Sequence, residues 1–234
     1  MQPMSLLIVT GILFVGSHLL LSHPLRAPLA DRMGERAFQI VYSVVAVATL
    51  ILVVQAWRGM PPEPPLWVVD DPLWALASLI VLFASILFMG SLIGNPALPA
   101  PGAAFAAQAA PRGVFAITRH PMMWAFALWA FAHALAMPTP AQIVLSAIIA
   151  VLALVGSAGQ DAKKARLMGD AWRHWAARTS FIPFARQVSG ITPWGDAIPR
   201  GHALAGGLVL WLVATWAHGA LGTMAAGIWR WIGG

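Results

Sequence analysis

Histidine carries most of the chemistry open to this chain. There are seven histidines and no cysteine, and the eight acidic residues all fall outside the apolar runs. His18, His133 and His218 stand inside those runs. An imidazole in hydrocarbon is costly unless it is hydrogen-bonded or bound to a metal. A bond to a carbonyl or hydroxyl of a neighbouring helix is the plain solution. The metal solutions narrow quickly. Without cysteine there are no thiolate sites, disulfides or iron–sulfur clusters. Without intramembrane carboxylates, calcium or magnesium cages and acid-based proton relays are disfavoured. Zinc calls for three or four ligands. Haem iron needs only one or two axial ligands, and its macrocycle is apolar. His18 and His133, on different runs, are the minimum equipment for a haem b. Their depths differ. His133 lies roughly 18 Å beyond Pro121 at 1.5 Å per residue, and His120 matches His18 better.

Two further stretches bear on a site. Thr118-Arg119-His120-Pro121 opens the run that holds His133. Thr118 or His120 near the N-cap, proline in the first turn and arginine at the headgroups make a serviceable helix start. A helix N-terminus also attracts anions, so Arg119 and His120 are candidates to meet a propionate or a nucleotide-like cofactor. Asp161 to Phe184 is basic and aromatic. It reads as an amphipathic interfacial helix anchored by Trp172 and Trp175, or as a lid over a lipophilic substrate. Arg166, Arg173 and Arg178 are then available to propionates.

The elements that must position these residues are apolar helices. Of the 234 residues 59% are hydrophobic and 9% charged, with mean hydropathy +0.76. Soluble domains carry about 25% charge, so the expected fold class is an all-α, polytopic transmembrane bundle. Spans are expected at Met4–Leu21, Phe38–Trp57, Leu73–Ile93, the run after Pro121, Gln142–Ser157 and His202–Trp229, six in all. Phe38–Trp57 matches the ~20 residues that cross a bilayer, and glycines weaken the last span. Asn95–Arg112 reads as a loop partly in the interface, and Gln160–Arg200 as a basic, Trp-rich polar region. Twelve of the fourteen Lys and Arg residues fall on one side of this arrangement; Arg58 and Arg230 are the exceptions. The positive-inside rule puts the Arg-rich loops in the cytoplasm and both termini outside, in a bacterial-type inner membrane. The net charge of +6 then faces anionic lipid rather than nucleic acid.

Short motifs spread along the chain resemble one family. They are a helix-one histidine followed by Leu25-Arg26, then Gly34-Glu35-Arg36-Ala37-Phe38. Next come Ile117-Thr118-Arg119-His120-Pro121 with Met123, and Trp129-Ala130-Phe131-Ala132-His133. Last are Gly169-Asp170-Ala171 and Arg178-Thr179-Ser180-Phe181-Ile182-Pro183-Phe184. The order is similar to that of the NnrU family, and within it to the 15-cis-zeta-carotene isomerases more than to the short denitrification-associated members. The resemblance covers residues 1–190 as one membrane domain, with 191–234 an additional C-terminal helix. It implies a haem b ligated by His18 and His133, an unidentified electron donor, and cis–trans isomerisation of a lipophilic polyene taken from the bilayer. The isomerases carry a cysteine three residues before the second histidine. Ala130 stands there, so a redox-switched exchange to thiolate is impossible in this chain. Two rivals follow from the same residues. One is a haem protein supporting denitrification. The other is a lipid methyltransferase like the isoprenylcysteine carboxyl methyltransferases, although the paired-glutamate motif that family carries before the glycine is absent from Ala162–Met168, and Met123 stands where its Tyr is expected.

Overall fold

Proline opens four of the long helices, at Pro3, Pro72, Pro121 and Pro140. Its missing N–H costs nothing in a first turn, and its fixed φ suits one. Two of these starts are capped as well. The Asp70 carboxylate accepts from the Leu73 amide at 3.0 Å, and the Thr139 hydroxyl accepts from that of Gln142 at 3.3 Å. The computed structural model describes residues 2–98, 102–221 and 224–232. In chain order its helices are α1 (Pro3–Ser22), α2 (Arg26–Met33), α3 (Glu35–Arg58), α4 (Asp71–Gly90), the single turns α5 (Ala103–Ala106) and α6 (Val114–Ile117), α7 (Pro121–Ala136), α8 (Pro140–Met168), α9 (Asp170–Arg178), the turn α10 (Ala185–Val188), α11 (Gly201–Ala220) and the turn α12 (Trp229–Ile232). A 3-10 turn covers Trp194–Ala197.

Among the described residues every regular element is helical. Helices α1, α3, α4, α8 and α11 are long and apolar enough to cross a membrane. Helix α7 has 16 residues, about 24 Å at 1.5 Å per residue. The protein is a helical membrane bundle. Its helices pack in the sequence α3, α1, α8, α7, α4, α11, so α8 is the common neighbour of α1 and α7. One interior cluster joins Leu7 and Phe14 of α1 to Val53 of α3 and Ala141 of α8. A second joins Leu87 of α4 to Val114 and Ile117 of α6 and Ala203 of α11. Outward-facing Ile12, Ile40, Val44 and Leu79 remain exposed, as helices apolar on all sides must be in lipid.

Three sequence expectations change. The fifth span does not stop at Ser157, because α8 continues unbroken through Lys163, Lys164 and Arg166 to Met168. Trp172 and Trp175 are not interfacial anchors. At 1% and 2% exposed they form a core with Ala97 and Ala107, which folds the described parts of the Asn95–Arg112 stretch over them. Lys164 donates to the Leu98 carbonyl at 3.0 Å and holds that stretch down. Positions 99–101 of the stretch and 222–223 of the last span lie outside the described residues. The last span itself ends at Ala220. Its Gly206 and Gly207 are the contact with α4: a Cβ on Gly207 would stand 2.6 Å from the Ile86 Cα. Small residues let two apolar helices approach where no hydrophobic force separates protein from lipid.

Candidate functional site

The residues expected at a site divide between the two ends of the bundle. Helix α1 runs parallel to α8, with Gly11 beside Ile148 and the ring of His23 beside Gly159. Helix α7 returns antiparallel and ends at the turn before Pro140. Along α8, Gly159 and Pro140 are roughly 28 Å apart at 1.5 Å per residue. His18 lies about one turn from the Gly159 end, and His133 about one turn from the Pro140 end. The structure does not bring His18 and His133 together.

Each intramembrane imidazole is held in the same way. The Nδ1–H of His18 donates to the Phe14 carbonyl at 2.9 Å, that of His133 to Trp129 at 2.8 Å, and that of His218 to Ala214 at 2.8 Å. A bond to the carbonyl four residues back fixes the tautomer and leaves Nε2 with the lone pair, the form that ligates a metal. His18 packs edge-on against Phe14 and Tyr42. His133 lies on Trp129 with ring centroids 3.9 Å apart. Its ring centroid is also 6.2 Å from that of His218 on α11. Two imidazoles bound through nitrogen to one ion at about 2 Å have centroids roughly 6 Å apart. His18 and His133 each hold an imidazole able to ligate a metal through Nε2, and His133 and His218 are the two whose rings lie near each other. Among the described residues no three potential metal ligands gather.

Arg119 and His120 meet at the other end, on a residue the sequence reading passed over. Asp161 of α8 accepts from Arg119 Nε at 2.9 Å and from Arg119 Nη2 at 2.5 Å. It also accepts from His120 Nε2 at 2.7 Å. His120 is 2% exposed, and its Nδ1 is buried without a hydrogen-bond partner. The Arg119 guanidinium also lies over the Phe181 ring at 5.5 Å. Around this ion pair the segments 114–120 and 179–187 clasp each other. The Arg119 amide donates to Ser180 O at 2.8 Å, Thr118 Oγ1 to Phe181 O at 2.6 Å, and Trp124 Nε1 to the same carbonyl at 2.8 Å. The Phe184 amide donates to Ile117 O at 2.9 Å, and Gln187 Nε2 to Ala116 O at 3.0 Å. Arg119 is thus spent on Asp161 rather than held ready for an anion. One signal pointed to this pairing: Asp161 is the sole acidic residue between Asp71 and Asp170, and an arginine between apolar helices needs a counter-charge.

Arg178 is likewise committed. Its Nη2 donates to Ala107 O at 2.8 Å, closing the stretch that covers Trp172 and Trp175. Arg173 pairs with Asp170 at 2.6 Å.

Fold and residues together define a multi-spanning helical membrane protein with histidines inside the bilayer and an Arg–His–Asp clasp at one end. A model of the NnrU protein family matches residues 6–226, and the chain belongs to that family. The match runs through α11. Neither a curated protein nor a solved structure matches the chain.

Proposed function

We propose that this protein is a membrane haem b protein acting on a lipophilic polyene, with cis–trans isomerisation of a 15-cis double bond as its reaction. The observation that carries the haem reading is that His18 and His133, each in an apolar span, donate Nδ1–H to the carbonyl four residues back, which leaves Nε2 as the ligating nitrogen of the neutral ring. His133 is the ligand common to both possible pairs. The resemblance to the isomerases implies His18 as its partner, a pairing that would require the bundle to bring the two levels together, whereas the 6.2 Å ring separation favours His218. A bound haem would supply an iron able to change electron density along a polyene, which no side chain here offers. The chain's own contribution is to orient the ligands and exclude water: Trp129 shields one face of His133, and the carbonyls fix the ring tautomers. The reading keeps the Arg-rich face cytoplasmic, in a bacterial-type inner membrane, with an electron donor yet to be identified.

The test is the absorption spectrum of detergent-purified protein, oxidised and dithionite-reduced, for wild type and for His18→Ala, His133→Ala and His218→Ala. A Soret band with sharp reduced α and β bands is expected, lost in His133→Ala. Loss of the low-spin bands in His218→Ala but not in His18→Ala assigns the second ligand to α11; the converse assigns it to α1. No Soret band after haem-supplemented expression overturns the proposal. Conversion of a 15-cis polyene, followed by chromatography of the isomers, tests the reaction separately.

A further inference from the structure

At the end of the bundle that carries most of the basic residues, a groove lies between α8 and the chain passing from α1 into α2. Its polar part, about 470 Å³, is lined by His23, Arg26, Lys163 and Arg166. It shares His23, Pro24 and Arg166 with an adjoining cavity of about 430 Å³. The walls of that second cavity are apolar: Leu19 and Leu20 come from α1, and Val155 and Ala158 from α8. A cationic pocket therefore opens directly into a hydrocarbon trough on the lipid-facing side of the bundle.

The polar groups in this groove are short of partners. Arg26 is paired with Glu35 at 2.6 Å. Among the described residues, Lys163 and Arg166 form neither an ion pair nor a side-chain hydrogen bond, although oxygen acceptors are the normal requirement of cations at such a site. Both ring nitrogens of His23 are buried without partners. That ring sits where it does because position 159 is glycine: a Cβ there would overlap it. Burial, followed by the positive charges of Lys163 and Arg166, pushes the His23 pKa below its ordinary value. The field in the groove is thus net positive, with one carboxylate, Glu35, set against three cations.

The geometry points to a binding site for one anionic phospholipid, its phosphate held by Lys163, Arg166 and His23 and one acyl chain laid in the trough between α1 and α8. Basic pockets between transmembrane helices are the general form of such sites. A soluble phosphate would satisfy the cations but leave the trough unused; a zwitterionic lipid would bring its own cation into a positive field. The groove requires nothing of the haem reading and stands or falls separately.

Native mass spectrometry of the full-length detergent-solubilised protein tests this, with dioleoyl-phosphatidylglycerol and dioleoyl-phosphatidylcholine titrated in parallel. Wild type is expected to retain one phosphatidylglycerol at least ten-fold more tightly than phosphatidylcholine. Lys163→Gln/Arg166→Gln should bring the two lipids to parity, whereas Arg173→Gln, a basic residue outside the groove, should leave the preference intact. Arg166→Lys, which keeps charge and bulk, should retain most of the preference and guards against misfolding as the cause of its loss. Equal retention of the two lipids by wild type overturns the proposal. So does a preference that survives the double variant, or one abolished equally by Arg173→Gln. Competition of the retained lipid by millimolar inorganic phosphate alone would assign the pocket to a soluble anion and also overturn it.

Discussion

At the scale of single residues, Asp161 has the largest reach. Its carboxylate is the shared acceptor for Arg119 and His120, so Asp161→Asn leaves both cation and imidazole facing an amide. Removing one partner of a largely buried pair costs about 3 kcal/mol. The Arg119→Gln/Asp161→Asn double variant should lose less than the sum of the singles, a coupling of about 1–3 kcal/mol for residues in direct contact. Unfolding in increasing dodecyl sulfate measures both, and strict additivity would show that the pair is not coupled. His23 gives a second prediction. Its pKa is lowered in the folded protein, so the unfolded chain binds the proton first. Its contribution to stability is present above about pH 6.5 and is lost as pH falls from there through the folded value. Histidine-selective NMR should find a midpoint below 6.5 that rises in Lys163→Gln. The census of histidines was legible in the sequence; the carbonyls that hold them were not, for they lie four residues back on the same helix rather than on a neighbouring one. Nor was the role of Asp161, because a boundary placed at Ser157 put it in a loop rather than one helix away from Arg119.

Whole elements show where pattern reading ran out. Apolar length was enough to find α1, α3, α4 and α8, since a bilayer demands it and little else in a sequence imitates it. The glycines of α11 read as a weakness because propensity is scored for a helix alone. Against α4 they are the reason the two helices touch. Gly207→Leu should therefore part α11 from α4 despite improving helix propensity, at a cost of about 1–3 kcal/mol for overpacking, whereas Gly219→Leu, with open space around it, should be close to neutral. The same reversal applies to α9. Its alternation of tryptophan with basic residues matches an interfacial helix, yet the tryptophans turn inward because the 95–112 stretch covers them. Trp175→Ala should cost about 3–5 kcal/mol and expose the 95–112 stretch to protease. A true membrane anchor would lose bilayer partitioning and leave that stretch protected.

For the whole molecule, charge asymmetry gives an expected orientation, with the Arg-rich loops on the cytoplasmic side. The chain has no cysteine, so any introduced thiol is a unique label. Val68, on the α3–α4 loop, and Val188, at the end of α10, are 87% and 78% exposed at opposite ends of the bundle. Val68→Cys should react with an impermeant maleimide in intact cells and Val188→Cys only after permeabilisation; the reverse pattern would invert the topology. The clasp between residues 114–120 and 179–187 also has a consequence in time. Its two halves are about sixty positions apart, and the later half follows α7, α8 and α9. During synthesis α7 must enter the membrane with Arg119 still lacking Phe181 beneath it, and with Asp161 not yet made. For that interval of roughly 3–12 s at ordinary elongation rates, a charged helix entrance depends on water and lipid headgroups for solvation. Slow translation through α8 would lengthen its exposure to quality control.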